Sequence, residues 1–532
     1  MATIAAPIAA TIAAPISVPI SVPIATPTAG LFTRVVGFVD LRTWVLSMML
    51  FLTPLMVYWP ATFHDFGLRD DYSNLREAYE EPGKVLKFCA SHARPIYGWL
   101  LQSTYSQTNS VQDLQWMRLL AAMLLGAISL VSFKSLKSVG WSTNLSICFA
   151  TLVALVPSAQ VIASWAVGWP YAAAALIAMG GFFAAESSNA SESLSPLQWC
   201  VALGLVTISA LIYQPSTLFY LVPLSAALIA RRERNMSQTL RWATTHIAVI
   251  GLSLTLAYAT MSALYFFGVF VKSGRIAFEQ HGLEKITWFL SESLPNALNL
   301  LVLNDDNQRD HALYFGGATL VGLILIAGAL LEWRRFGRTR GLIWIIGLTC
   351  LPVVACTVSL IASERYATYR TIFAMTAVLL CFLVASVNAL TRNFSINARR
   401  ILASIAFLVA MLSAQHHSFD LIAVPQGNEW QLIEKGAKQV RIDHRHPRVF
   451  AIASTPADKS TATLYHDEFG SLSSNSEWVP REMFKRAMHD LHPEIRNLDA
   501  RYDFATGTKL PPGQHFDVVI DMRRLRHFFN DI

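Results

Sequence analysis

TWVLSMMLFLTPLMVYWPATFHDFGLRDDY, residues 43–72, begins with a run that carries no charge from 43 to 61 and ends on a cluster of ionisable side chains. An uncharged apolar run of this length matches the roughly 20 residues that a helix needs to cross a bilayer core. The charges that follow, Asp65, Arg69, Asp70 and Asp71, mark where the chain meets water again. Outward from here, the rest of the chain repeats the same alternation of apolar run and polar break.

Further apolar runs lie at 116–136, 143–157, 170–186, 197–213, 216–230, 242–268, 314–333, 341–360, 371–390 and 400–415. The expectation is a mostly α polytopic bundle of about eleven membrane helices. The pair flanking Tyr213-Gln214-Pro215 also reads as a bent hairpin. Composition agrees: 53% of the 532 residues are hydrophobic and 14% are charged, whereas a soluble domain carries about a quarter charged residues. The formal charge of +7 does not imply a nucleic-acid partner, because the basic residues sit in short loops between apolar runs. Such placement is a topology signal.

Alternate loops carry Arg34 and Arg42, Lys134 and Lys137, Arg231, Arg232, Arg234 and Arg241, then Arg334, Arg335, Arg338 and Arg340, and finally Arg392, Arg399 and Arg400. The opposite short loops carry only Arg365 and Arg370. The positive-inside rule then puts the amino terminus in the cytoplasm of a bacterial inner membrane and the tail outside. Loop 187–196 has no basic residue and contributes nothing to this count. Two long outer loops result, 62–115 and 269–313, and loops of such length are more often functional than incidental.

The remaining segments differ in character. Residues 1–30 are uncharged and punctuated by Pro7, Pro15, Pro19, Pro23 and Pro27, which removes helix donors repeatedly and reads as a disordered or extended leader. An amphipathic segment, 31–42, follows. The tail, 416–532, reads as a small α/β soluble domain, with β-like runs at Val449–Ala453 and Phe516–Ile520 and a helix over 480–491. Five of the six cysteines lie in apolar runs and Cys89 stands alone, so neither a zinc site nor a disulfide framework is expected. The spacing of His416, His417, His444 and His446 fits no zinc ligand pattern.

The first outer loop concentrates the chemistry. Asp70-Asp71 follows the first apolar run closely, and Ala93-Arg94-Pro95-Ile96-Tyr97-Gly98-Trp99 comes later in the same loop. One carboxylate of such a pair can take a proton from an attacking hydroxyl. Alternatively, both can hold a divalent cation, magnesium or manganese, against a phosphate. Arg69 and Arg94 have the geometry to bind phosphate oxygens bidentately. The plainer alternative is a solvated acidic loop start with structural ion pairs.

In order and spacing, these elements resemble the GT-C superfamily of membrane glycosyltransferases, and most closely the Gtr-type glucosyltransferases that decorate O-antigen. Asp70-Asp71 followed by Ala93-Arg94-Pro95 is similar to that family's Asp-Asp…Gly-Arg-Pro-Leu pattern, with departures at Ala93 and Ile96. Pro157, Trp169-Pro170-Tyr171 and Tyr213-Gln214-Pro215 resemble further elements of it. The resemblance spans 40–415 and says little about the tail. It implies a polyprenyl-phosphate-linked sugar donor, a glycan acceptor outside the cytoplasm, Asp70 or Asp71 as general base, and inversion at the anomeric carbon.

Arg365 and Arg370, exceptions on the outer side, are then donor-phosphate candidates beside Arg69 and Arg94; an interfacial anchor or a pair with Glu364 is the alternative. Tyr97, Trp99, Tyr213 and Gln214 are candidate substrate contacts, while Trp99, Trp165 and Trp169 also read as an interfacial aromatic belt. Lys285, Arg275 and Asn304-Asp305-Asp306 are weaker candidates. The main rival function is a transporter or flippase of lipid-linked glycans, which predicts internal repeats and charged or broken spans near mid-membrane. A polysaccharide polymerase or ligase is a third.

Overall fold

A computed structural model describes residues 41–186, 194–231, 235–303, 311–442, 446–452, 468–469, 471–495 and 498–525. The expected leader, most of loop 187–196, Arg232–Arg234, Asn304-Asp305-Asp306 and His444-Arg445 lie outside them. By contact the chain divides into two units, Met1–Leu46 and Ser47–Ile532, and every element beyond the first helix lies in the second.

The helices are, in order, α1 (Leu41–Thr62), α2 (Asp70–Glu80), α3 (Lys84–Ser91), α4 (Pro95–Tyr105), α5 (Leu114–Ser138), α6 (Thr143–Val153), α7 (Pro157–Ser164), α8 (Trp169–Ala185), α9 (Pro196–Thr217) and α10 (Leu221–Ala230). They continue with α11 (Met236–Phe266), α12 (Gly282–Trp288), α13 (Leu294–Leu298), α14 (His311–Ala355), α15 (Thr357–Ile361), α16 (Phe373–Leu390), α17 (Ile396–Ser418), α18 (Val424–Ala437) and α19 (Val479–Leu491). Four of them begin with a side-chain cap just after a loop of the basic set or its one member without a basic residue. Ser142 caps α6, Ser395 caps α17, and full capping boxes, Ser195 with Gln198 and Asn235 with Gln238, open α9 and α11. A helix start has orphan N–H groups that must find an acceptor, and these short polar side chains supply one.

Among the described residues, eight helices are long and apolar enough to cross a membrane, or nine if α6 and α7, bent by 50°, form one span. This differs from the expected eleven at two places. Pro196–Ala230 contains Tyr213 in a non-helical conformation (φ −156°, ψ 106°), and Ala312–Ala355 contains Gly337 (φ 82°, ψ 177°). Both breaks fall between segments that the hydropathy separates. At the second, a β-carbon added to Gly341 would stand 2.7 Å from the Trp333 Cβ. Eight residues of straight helix would put these positions about 12 Å apart, so the chain doubles back at Gly337. Only glycine adopts that backbone without strain.

Large apolar side chains cover much of the outer surface, among them Met56 and Trp59 on α1 and Ile401, Ile405, Leu408 and Leu412 on α17. Apolar surface on this scale calls for a lipid or protein partner. The interior is one continuous apolar core that runs from Val57 through α5, α8, α10 and α16 into the tail.

The tail does not begin a separate body at 416. Helix α17 runs through that position and passes by a π-turn, Phe419–Ala423, into α18. Beyond it lie α19 and a three-stranded parallel sheet of β1 (Arg448–Ile452), β2 (Asp503–Gly507) and β3 (Val518–Asp521), in the order β2-β1-β3. The two β-like runs of the sequence correspond to β1 and β3, and β2 was not legible. Side chains of the tail clasp the 62–115 loop: Arg76 Nε meets Glu482 at 2.8 Å, Tyr72 stacks on Trp430 at 5.5 Å, and Arg486 donates to the Asn109 carbonyl.

Candidate functional site

The two aspartates at the head of α2 have opposite fates. Asp71 is fully buried; its Oδ2 accepts from the Leu68 N–H at 2.8 Å and its Oδ1 from the Tyr105 hydroxyl at 2.5 Å. Burial pushes its carboxyl up to about 7, against the opposing pull of the Tyr105 and Leu68 hydrogen bonds. Asp70 is exposed, in the first turn of the same helix, where the helix dipole favours a negative charge. Arg69, just before it, has a left-handed backbone (φ 44°). Its N–H donates to Ser473 Oγ at 2.9 Å and its guanidinium to Ser471 Oγ at 2.7 Å, so this arginine is engaged with the tail.

What holds the loop entry in shape is a residue that the sequence reading passed over. Arg118 on α5 is fully buried and donates to three carbonyls: Thr62 at 3.1 Å, Phe66 at 2.8 Å and His64 at 2.7 Å. Its guanidinium also covers the Phe66 ring at 4.2 Å. The signal for it was a lone cation near the start of an apolar run, a placement that is expensive and therefore rarely idle.

The Ala93-Arg94-Pro95 turn joins α3 to α4. Ala93 is left-handed (φ 61°), at the position where the resembling family has glycine. Tyr265 Oη accepts from the Ala93 N–H at 3.0 Å, and Gln214 Nε2 donates to the Ala93 carbonyl at 2.7 Å. Arg94 is thereby aimed over the Tyr213 ring, 4.8 Å from its centroid, and its Nε is buried without a hydrogen-bond partner among the described residues. Tyr213 contacts Tyr171 at 4.0 Å between ring centroids, and Tyr171 stacks on Tyr97 at 5.3 Å with their hydroxyls 2.9 Å apart.

Arg370 is likewise set against an aromatic ring. Its guanidinium lies over the Trp165 ring at 4.4 Å, and Tyr171 is within electrostatic reach of both Arg370 and Arg94. Asp70 and Arg94 in turn both act on the buried Cys89, whose thiol is pushed up to about 12 chiefly by burial and is therefore neutral. Direct contacts thus bring together Arg94, Tyr97, Tyr171, Tyr213 and Gln214, while Arg370 stands over Trp165 and Asp70 heads α2, which packs on α3 and α4.

Other candidates lie elsewhere. Arg365 pairs with Glu284 at 2.7 Å and approaches Glu279 at 3.8 Å, in a cluster with the 269–313 loop. Lys285 is buried there, donating to the carbonyls of Ala362 and Glu364, both at 2.7 Å, and Arg275 lies 3.9 Å from Glu364. Trp99 is exposed, as a belt residue would be, but Trp165 and Trp169 are buried, and Trp165 lies beneath a guanidinium. Tyr97 is buried among tyrosines, so it supports the site from within and presents no ring face to a sugar.

The carboxylate pair does not fit a shared divalent cation, because Asp71 spends both oxygens inward while Asp70 faces out. No group of three metal-ligating side chains occurs among the described residues. His416 pairs instead with Asp420 at 2.6 Å and His417 with Gln160 at 3.1 Å. Sequence reading also missed Glu468, which accepts from the Tyr369 N–H at 2.5 Å and the Arg370 N–H at 3.2 Å. No protein-family model matches the chain, and no curated protein matches it either.

Proposed function

We propose that this chain is a bacterial inner-membrane glycosyltransferase that moves a hexosyl unit, glucosyl or similar, from a polyprenyl-phosphate donor to a glycan acceptor outside the cytoplasm. The Asp70–Arg94–Arg370 end of the bundle faces outward with the tail over it, and the amino terminus is cytoplasmic. In the reaction, the Asp70 carboxylate takes the proton of an acceptor hydroxyl as its oxygen attacks the anomeric carbon. The bond from that carbon to the phosphate oxygen breaks on the opposite face, with inversion. The departing phosphate needs no proton, so a single base suffices, and Arg94 and Arg370 receive its charge. Fixed cations where charge develops act without reorganising, which makes such stabilisation large.

One observation carries this reading: Arg94, in a turn held by Tyr265 and Gln214 and set over the Tyr213 ring, keeps its Nε buried and without a hydrogen-bond partner among the described residues. The test is transfer from a polyprenyl-phosphate hexose by membranes containing each variant at equal abundance. Asp70→Asn lowers the rate by roughly 100-fold or more, the range of a lost general base. Arg370→Ala falls by about 100-fold, the scale of a lost charge-stabilising group. Arg365→Ala, which loses a half-exposed pair, stays within about twofold. Full transfer by Asp70→Asn removes the proposed base; the absence of transfer by the unaltered chain with any such donor removes the function.

A further inference from the structure

The loop that carries Arg370 holds an anion already. Glu468 is buried, its Oε1 and Oε2 accept from the consecutive N–H groups of Arg370 and Tyr369, and its carboxylate stands 4.0 Å from Arg370 Nε. Two successive backbone N–H groups aimed at one point, with a guanidinium beside them, form a cradle for an anion. Its neighbour Phe469 wedges between Tyr369, at 5.2 Å, and His417, at 6.0 Å, so Glu468 and Phe469 seat together. A carboxylate and a phosphate ester present similar oxygens to such donors, and the two cannot occupy the cradle at once.

We infer that the Tyr369–Arg370 N–H pair and the Arg370 guanidinium form a phosphate-binding subsite in which Glu468 acts as a resident competitor, a latch that a lipid-linked phosphate must displace. This rests on the proposed function only for the identity of the ligand. The substitution Glu468→Gln keeps one acceptor oxygen for the two N–H groups and removes the charge that repels an incoming phosphate. The cradle is then open to a phosphate at lower cost, since like charges a few ångströms apart in protein interact strongly.

The probe is farnesyl phosphate, titrated into the full-length chain in neutral detergent. Glu468→Gln binds it about tenfold tighter than the unaltered chain, the direction set by removing one like charge. The double variant Glu468→Gln/Arg370→Ala loses that gain. Equal or weaker binding by Glu468→Gln overturns the latch. Should Glu468→Gln fail to fold, Phe469→Cys in a chain lacking the exposed Cys200 and Cys350 gives the second measurement. Its thiol is shielded from a maleimide without ligand and reacts once farnesyl phosphate saturates the protein; unchanged shielding at saturation overturns the proposal. If Glu468→Gln binds no tighter while the unaltered chain transfers sugar, the latch alone fails. If the gain in binding appears but no sugar moves, the transferase reading alone fails.

Discussion

Gln214 Nε2 donates to the carbonyl of Ala93 at 2.7 Å, across 121 residues of chain. One end of this contact lies beside the Tyr213 break within Pro196–Ala230, and the other is the left-handed turn that aims Arg94. Tyr265 takes the N–H of the same residue, so both backbone groups of Ala93 are held by side chains of distant helices. The motif Ala93-Arg94-Pro95 and the motif Tyr213-Gln214-Pro215 are therefore two halves of one device.

Ala93→Gly tests the strain in that turn. A β-carbon in the left-handed region costs roughly 1–2 kcal/mol, and the extra freedom of glycine in the unfolded chain offsets about 0.4–1 kcal/mol of the relief. The expected result is a thermal midpoint in detergent unchanged or slightly raised, with transfer retained. Ala93→Val, with a branched β-carbon, lowers it. A large loss on Ala93→Gly would mean that the methyl group itself packs, and the strain argument would fail.

Asp71 gives a dependence of stability on pH. Its carboxyl is raised by burial to about 7, from 3.8 for the free group. A raised acid is a group whose folded form prefers to keep its proton. Its stabilising contribution is complete below the unfolded value, near 4, and is lost as pH rises to about 7; the change is on the order of 4 kcal/mol. Asp71→Asn keeps an acceptor for Leu68 N–H and cannot ionise. It should flatten this component of the pH profile between about pH 4 and pH 7 while leaving sugar transfer largely intact. A profile identical to that of the unaltered chain would show that Asp71 does not titrate there.

Arg118→Met asks how much of the loop entry depends on one side chain. The substitution leaves the carbonyls of Thr62, His64 and Phe66 without this donor in a buried setting. Each such loss costs about 1–3 kcal/mol, so the variant should be destabilised by several kcal/mol and should accumulate poorly. Arg118→Lys, with donors from a single ammonium, should be intermediate. Limited proteolysis of membranes would show the damage as new cleavage within 62–80. Normal accumulation and an unchanged digest of Arg118→Met would refute the assigned role.

Local sequence determined much of this protein. Uncharged runs of span length, the capping residues Ser195 and Asn235, and the concentration of polar residues in 62–115 are properties of neighbouring residues, and helix formation responds to neighbours. Asp70, Arg94, Tyr213 and Gln214 stood out in the sequence through motifs that resemble those of one family, and the Gln214–Ala93 contact joins two of these motifs in space. Tertiary structure alone decided which aspartate faces water, because the fully buried Asp71 and the exposed Asp70 are adjacent in one helical turn and the direction depends on Tyr105. It likewise decided that Arg370 lies over Trp165 while Arg365, five residues earlier, joins Glu284. It put Arg118 and Glu468, distant in sequence, beneath and beside the site. Burial and pairing follow from which elements pack together, and that information lies in long-range contacts that no window of sequence contains.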